Sequence, residues 1–536
     1  MNCRFSRIYL LSVGFIWLTC CSDNTHKKPR VFHYNQPNPV TSLDPAFAKS
    51  QNNIWLIDHI YNQLIDLDDS MNLVPEIAKD WEVSKDGLSY LFHLRNDVFF
   101  HKNSCFGKDS TRRLKASDVE YSFLRLIDPG LSAPGRWIFA GKLDTFQPFN
   151  IINDTTLVIK LRQPFSPFLS LLTMQYCSII PKEAVSFYQN KFDEFPVGTG
   201  PFVLNKWIDR QGIFLSRNSS YFKPNLPYLE GVRVSFIEDR NTAYLEFIRN
   251  EIDFFSGIQS SFASQLILSD GTLRPELNDH INFFKSDYLN TEYLGINLEA
   301  FPKDHAIWDK RVRQALNLAL DKNLLVKTYR FGIGTPANAG FIPKGLISYD
   351  PNSVKGYVHD AARAKDLLKS SGYFEKSKLE KELIIYTNKD YLDLVTFVAR
   401  QWQEVGIELR IELLETGTLR EKMRNGSIGF FRASWIADYP DEESFMTVFY
   451  SKNGAPPNYT RFKNVEFDQL YEAAVKEIDN DKRVKLFQQM DRIIVEESPV
   501  IFLLYDQTAL FGQRNIKNLK GNPINLLKLE QVDEIN

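Results

Sequence analysis

Cysteine and histidine are scarce in this chain, five and eight among 536 residues, and no two histidines stand three or four positions apart. CxxC, HExxH and GxSxG are missing as well, so the spacings that most often build a zinc site or an activated nucleophile are not offered. Neither sign of charge is in surplus: 64 basic against 66 acidic residues leave a net charge of -2. That gives no basic footprint for nucleic acid, and the run Arg112, Arg113, Lys115 reads as a solvated surface. Internal repeats and low-complexity tracts are also lacking. The GxG of Gly198 and Gly200 has no following Lys-Ser/Thr and no third glycine opening a helix, so it reads as a tight turn before a strand.

What is present is globular. With 43% hydrophobic and 13% aromatic residues the chain can bury large cores, and it is too long for one, so two or three domains are expected, contiguous or interleaved. Arg4 and Arg7 precede an apolar run from Ile8 to Thr19, too short to span a bilayer and the right length for a secretory signal. Leu18-Thr19-Cys20-Cys21 resembles a bacterial lipobox, which makes residues 1–20 a lipoprotein signal peptide and Cys21 the lipidated residue. Cys20 takes that role in the alternative register. Residues 21–30 then read as a tether to the membrane. Cys105 and Cys177 are the remaining thiols, and in an exported protein they could pair.

Periodicity gives an α/β mixture. Ser89–Arg95 alternates like a half-buried strand, and Ser117 with Glu120 has the spacing of a capping box that opens a helix stopped by Pro129 and Gly130. One helix is expected from Asp309 to Phe331, a second from Asp360 to Ser371 and a third from Tyr391 to Val405, the last feeding a one-sided strand, Ile407 to Leu413. A final amphipathic helix around Leu486 to Ile494 stops before Pro499, and Val500–Tyr505 reads as a buried strand.

The most suggestive stretch is Arg424 to Glu443. It spaces Arg432, Trp435 and Asp438 three apart beside Phe430, Phe431 and Ile436. A guanidinium and a carboxylate beside an indole could hold the two ends of a zwitterion while the aromatic excludes water. The acids that follow, Asp441, Glu442 and Glu443, read as a solvated turn.

Segments along nearly the whole chain resemble the bacterial solute-binding lipoproteins that deliver peptides to ABC importers. They are SLDPAFA from Ser42, Leu73–His101, Lys115–Pro129, PVGTGPFVLNKW, Ala243–Phe254, Trp308–Lys322, DAARAKDLLKSSGY and WIADYPDEESF from Trp435. The resemblance implies a periplasmic binding protein-like α/β fold, with two large lobes, a hinge and cleft, and a smaller additional lobe. Transferred to this chain, one lobe combines residues 30–70, 199–285 and 500–530, the small one is 71–198 and the third is 286–499. It implies a monomer without cofactor or metal, which captures short peptides and hands them to a permease and ATPase. The lipid anchor holds it on the periplasmic side of the membrane. Asp438 would meet the peptide ammonium and Arg432 a carboxylate, with Arg424 a second carboxylate anchor. Trp435 would wall the pocket, and the main chain of Ser434 and Ile436 would pair with an added strand. The sequence departs from the family at Gly135–Gly141, which lacks an expected Tyr, and after SLDP, where Gln51, Asn52 and Asn53 stand without an acid. Dedicated receptors for murein tripeptide, dipeptide or a metal chelate share the scaffold. From another class, an extracytoplasmic hydrolase remains a rival.

Overall fold

The computed structural model describes residues 30–535. Cys20, Cys21, the signal segment and all but the last residue of the tether lie outside them. The frame is one eleven-stranded mixed sheet. At its middle, the long strands Ile281–Ile296 and Val500–Gln513 pair antiparallel from Ile281 opposite Gln513 to Gly295 opposite Val500. The ladder shifts register between Asp287 and Thr291 and again between Glu292 and Tyr293, the irregularity that lets a strand pair bend.

On one side of that pair lie Phe254–Ser256, then Val31–Asn35 parallel to Gly231–Ser235, then Gly212–Arg217 and Phe202–Ile208. On the other side lie Phe430–Ile436, Leu383–Thr387 and Leu409–Leu413. A separate four-stranded antiparallel sheet is built from Ala78–Val83, Ser89–Leu94, Thr156–Lys160 and Phe149–Asn153. The expected burial of Val500–Tyr505 is met, and the strand runs eight residues further, to Gln513.

Local chemistry explains where the sequence reading shifts. The helix expected over Asp309–Phe331 is two helices, Lys310–Leu318 and Lys322–Tyr329. Asp321 interrupts it: its carboxylate accepts from Leu324 N at 3.0 Å, and its own N–H is taken by Gln401 Oε1 at 2.7 Å, so it caps a new helix. The helix expected from Ser117 starts at Ala116, and the capping box uses Asp118, which accepts from Lys115 N at 2.9 Å. Arg112 is not a solvated residue. It bridges Asp118 and Glu183 at 2.7 and 2.6 Å.

Gly198 and Gly200 form the expected turn for a packing reason. A Cβ on Gly198 would sit 2.1 Å from the Ile60 carbonyl oxygen and one on Gly200 2.7 Å from it, so the chain crosses the end of helix Gln51–Ile60 too closely for any side chain. Cys105 and Cys177 are free thiols, so the possible pairing is not made. Cys177 is buried and directs its Sγ to the Leu171 carbonyl at 3.4 Å, while Cys105 is only half-buried on its own short helix.

Candidate functional site

Strand Phe430–Ile436 carries the site because its two faces are buried by different means. Phe431, Ala433 and Trp435 join one apolar cluster, while Phe430 stacks on Trp402 on the other face with ring centroids 5.9 Å apart. Its inner edge pairs antiparallel with Asn290–Ile296 through every residue. Its outer neighbour, Leu383–Thr387, is bridged to it only at Tyr386–Phe431. Among the described residues no strand pairs with the outer edge from Arg432 to Ile436. An open edge of this length can accept an extended peptide as an added strand.

Asp438 follows the strand in a turn fixed by Ser444. Trp435 Nε1 donates to the Ser444 carbonyl at 2.5 Å, and Asp438 N donates to Ser444 Oγ at 3.0 Å. No described group hydrogen-bonds or ion-pairs with the Asp438 carboxylate. It is exposed to water, yet burial among surrounding protein pushes its pKa up to about 6, with Glu443 adding to the rise. Water-accessible surface together with interior-like surroundings describes a group on the floor of a cleft. The facing wall comes from another part of the chain. Trp137 stacks on Tyr439 at 6.2 Å, and Tyr176, its hydroxyl pKa raised by burial and then by Asp438, packs over Gly135, where a Cβ would lie 2.4 Å from its ring. Tyr176 therefore brings an aromatic ring beside Gly135–Gly141, the segment that lacks the tyrosine expected from the resemblance.

Asp441, Glu442 and Glu443 are not the solvated turn that their letters suggest; all three are buried. Arg483 Nη2 donates to Asp441 at 2.5 Å, Glu442 accepts from Ser348 N at 2.9 Å, and Glu443 accepts from the hydroxyls of Tyr439 and Tyr471. The physical reason is Arg483, forty-odd positions away, which supplies the charge that lets acids be buried. Burial raises the Glu443 pKa, opposed by the Tyr471 hydrogen bond and by Lys142.

Beneath the other face of the strand lies a cavity of about 120 Å³ lined by Asn290, Glu292, Tyr329, Arg330, Tyr391, Leu394, Ser434, Ile436, Leu504 and Asp506. Arg432 backs it. Its guanidinium pairs with Glu292, both side chains 9% exposed, and stands 3.1 Å over the Tyr391 ring. Arg330 pairs with Asp506 in the same way. Arg432 thus arrives in the site with its charge already matched, which the sequence reading did not foresee. Arg424 is exposed on the last turn of helix Thr416–Asn425, at the opposite end of the strand from Asp438. The structure therefore gathers Arg432, Ser434, Trp435, Ile436 and Asp438 on one strand and its following turn, with Arg424 apart. Sequence reasoning missed Glu292, Arg330, Asp506 and Glu443. A lone acid inside the apolar run Tyr288–Ile296 was the available signal for Glu292.

A mixed sheet built around two long central strands, with an unmatched carboxylate beside an open strand edge, is an arrangement suited to holding a solute. Residues 72–457 match the bacterial extracellular solute-binding proteins, family 5 (middle region), and the chain belongs to that family. It is 29% identical to heme-binding protein A of Haemophilus influenzae over 82% of this chain and 81% of that protein. To the dipeptide-binding protein of Escherichia coli it is 25% identical over 88% of each. Among solved structures, the periplasmic binding protein DppA of Helicobacter pylori in complex with the peptide STSA superposes with a TM-score of 0.78 at 25% identity. That match covers 94% of this chain and 98% of that one.

Proposed function

We propose that this protein captures short peptides, with Asp438 receiving the peptide ammonium and the open edge of Arg432–Ile436 pairing with the peptide backbone. The observation that carries the reading is Asp438 itself. A carboxylate surrounded by protein, yet left without a partner in a site otherwise full of matched charges, is a place kept for an incoming cation. Trp435, locked by Ser444, holds the turn, and the main chain of Ser434 and Ile436 supplies the pairing groups. Arg432 keeps Glu292 as its partner and reaches a ligand carboxylate only by exchanging it. Arg424 stands unpaired among the described residues as the alternative anchor for a longer peptide.

In this reading residues 30–70, 199–285 and 500–530 form one lobe, 286–499 the opposing one and 71–198 a smaller third. Closure brings Trp137 and Tyr176 over Asp438. The protein works as a monomer, tethered to the membrane through lipid on Cys21, and delivers peptide to a permease driven by an ATPase without acting on it chemically. The test is mass spectrometry of small molecules released by denaturing protein purified from its native host. A mixture of two- to five-residue peptides with varied side chains is expected. A single species such as haem, a murein tripeptide or a metal chelate would refute broad peptide capture, and cleaved peptides after incubation would refute a purely binding role.

A further inference from the structure

Two polar atoms at the cavity under Ser434 and Ile436 are left over after its ions are matched: Asn290 Oδ1, which lines it, and Arg432 Nε, which backs it. Glu292 is taken by Arg432 and Asp506 by Arg330. Asn290 lies between the two carboxylates, and its amide nitrogen donates to both, at 3.3 Å to Glu292 Oε1 and 3.2 Å to Asp506 Oδ2. With both amide hydrogens committed to acids, the orientation of the carboxamide is fixed. Its oxygen, Oδ1, is then a buried acceptor without a partner on a residue only 4% exposed. Such an atom is costly unless something donates to it. Asn290 also stands directly across the ladder from Ile436, one strand in from the edge assigned to the peptide.

We propose that this cavity is a specificity pocket for a neutral, hydrogen-bond-donating side chain of the bound peptide, a carboxamide or a hydroxyl, with Asn290 Oδ1 as its acceptor. The proposal rests on the peptide reading above. At about 30 Å³ for a water-sized group, the 120 Å³ space holds roughly four such groups, enough for a glutamine or asparagine side chain. Leu394, Leu504 and the rings of Tyr329 and Tyr391 give its methylenes apolar walls. Charged side chains fare worse. A ligand carboxylate would have to draw Arg330 or Arg432 away from its acid, and an ammonium would have to draw Glu292 or Asp506 away from its guanidinium. The balance of matched ions is what makes the pocket select a neutral donor.

Calorimetry on a tetra-alanine host, carrying Gln, Asn, Ser, Leu, Glu or Lys at each of its first three positions in turn, tests this. At one position Gln or Asn should bind about tenfold tighter than Leu, with Glu and Lys weaker than Ala. Asn290→Leu should invert that order, Leu above Gln, with its melting transition checked in parallel. Should that variant fail to fold, the wild-type series decides alone. Binding of the whole series with Gln and Leu within about twofold at all three positions would overturn the pocket assignment while leaving peptide capture standing. Failure of every peptide to bind would overturn the peptide reading, and the pocket with it.

Discussion

Lowering the pH from 7 to 5 should weaken peptide binding through protonation of Asp438. With its pKa near 6 in the empty site, the carboxylate is about nine-tenths ionised at pH 7 and about one-tenth at pH 5. Burial raises this pKa above that of the free side chain, so the charged form needed by the ammonium is present at high pH and lost as pH falls through about 6. A peptide ammonium and its terminal carboxylate stay charged across that interval, so affinity should fall by about tenfold, or about 1.4 kcal/mol. Asp438→Asn removes the charge at every pH. Its loss should be about 2–5 kcal/mol at pH 7, at least about thirtyfold in Kd, and the remaining binding should be flat between pH 5 and 7. Calorimetry with tri-alanine and with N-acetylated tri-alanine closes a cycle, because the acetylated peptide should bind wild type and Asp438→Asn alike. A wild-type Kd constant within about twofold over this range, or tolerance of acetylation, would refute the assignment of Asp438.

Glu443 adds to the raised pKa of Asp438, so Glu443→Gln should move the midpoint of the same pH profile downward; an unmoved midpoint would remove Glu443 from the site's electrostatics. Breaking the buried pair with Arg432→Met or Glu292→Gln alone should destabilise the fold by about 3–5 kcal/mol, and the double variant by less than either, read from urea unfolding. Asp491, on helix Asn480–Glu497, is buried and accepts from Phe341 N at 2.6 Å; burial holds its pKa up at about 7, so its protonated form is favoured by folding and its contribution to stability is full below about pH 4 and lost as pH rises through 7. Asp491→Asn should flatten that slope in denaturation curves taken from pH 4 to 8. Gly198→Ala drives a Cβ against the Ile60 carbonyl and should cost at least about 1–3 kcal/mol in the same assay.

The site strand was legible because its signals are local. Two phenylalanines, alternation and a tryptophan three residues before an acid identify a buried strand ending in a charged turn, and the strand is found at Phe430–Ile436. What escaped depends on distant partners. Asp441, Glu442 and Glu443 look solvated until Arg483 is brought to them, and Arg432 looks like a free cation until the register puts Glu292 two rungs along the neighbouring strand. Helix boundaries failed for a different reason. Asp321 sits in an uninterrupted helical pattern and turns into a cap only because Gln401 takes its backbone N–H. The free thiols repeat the lesson, since residue type and compartment say nothing of whether two side chains meet.

The paired strands Ile281–Ile296 and Val500–Gln513 act as a leaf spring clamped at both ends. Near Gln513 they are gripped by Phe254–Ser256, and near Val500 by Phe430–Ile436, while the break in register between Asp287 and Thr291 leaves a short length where flexing stretches few hydrogen bonds. Any movement of one clamp against the other would be taken up along that short length, where the fewest ladder bonds resist it. Phase along that spring is unforgiving. One extra residue inserted before Asn290 would turn every side chain beyond it to the opposite face, carrying Glu292 away from Arg432 and Asn290 away from Asp506.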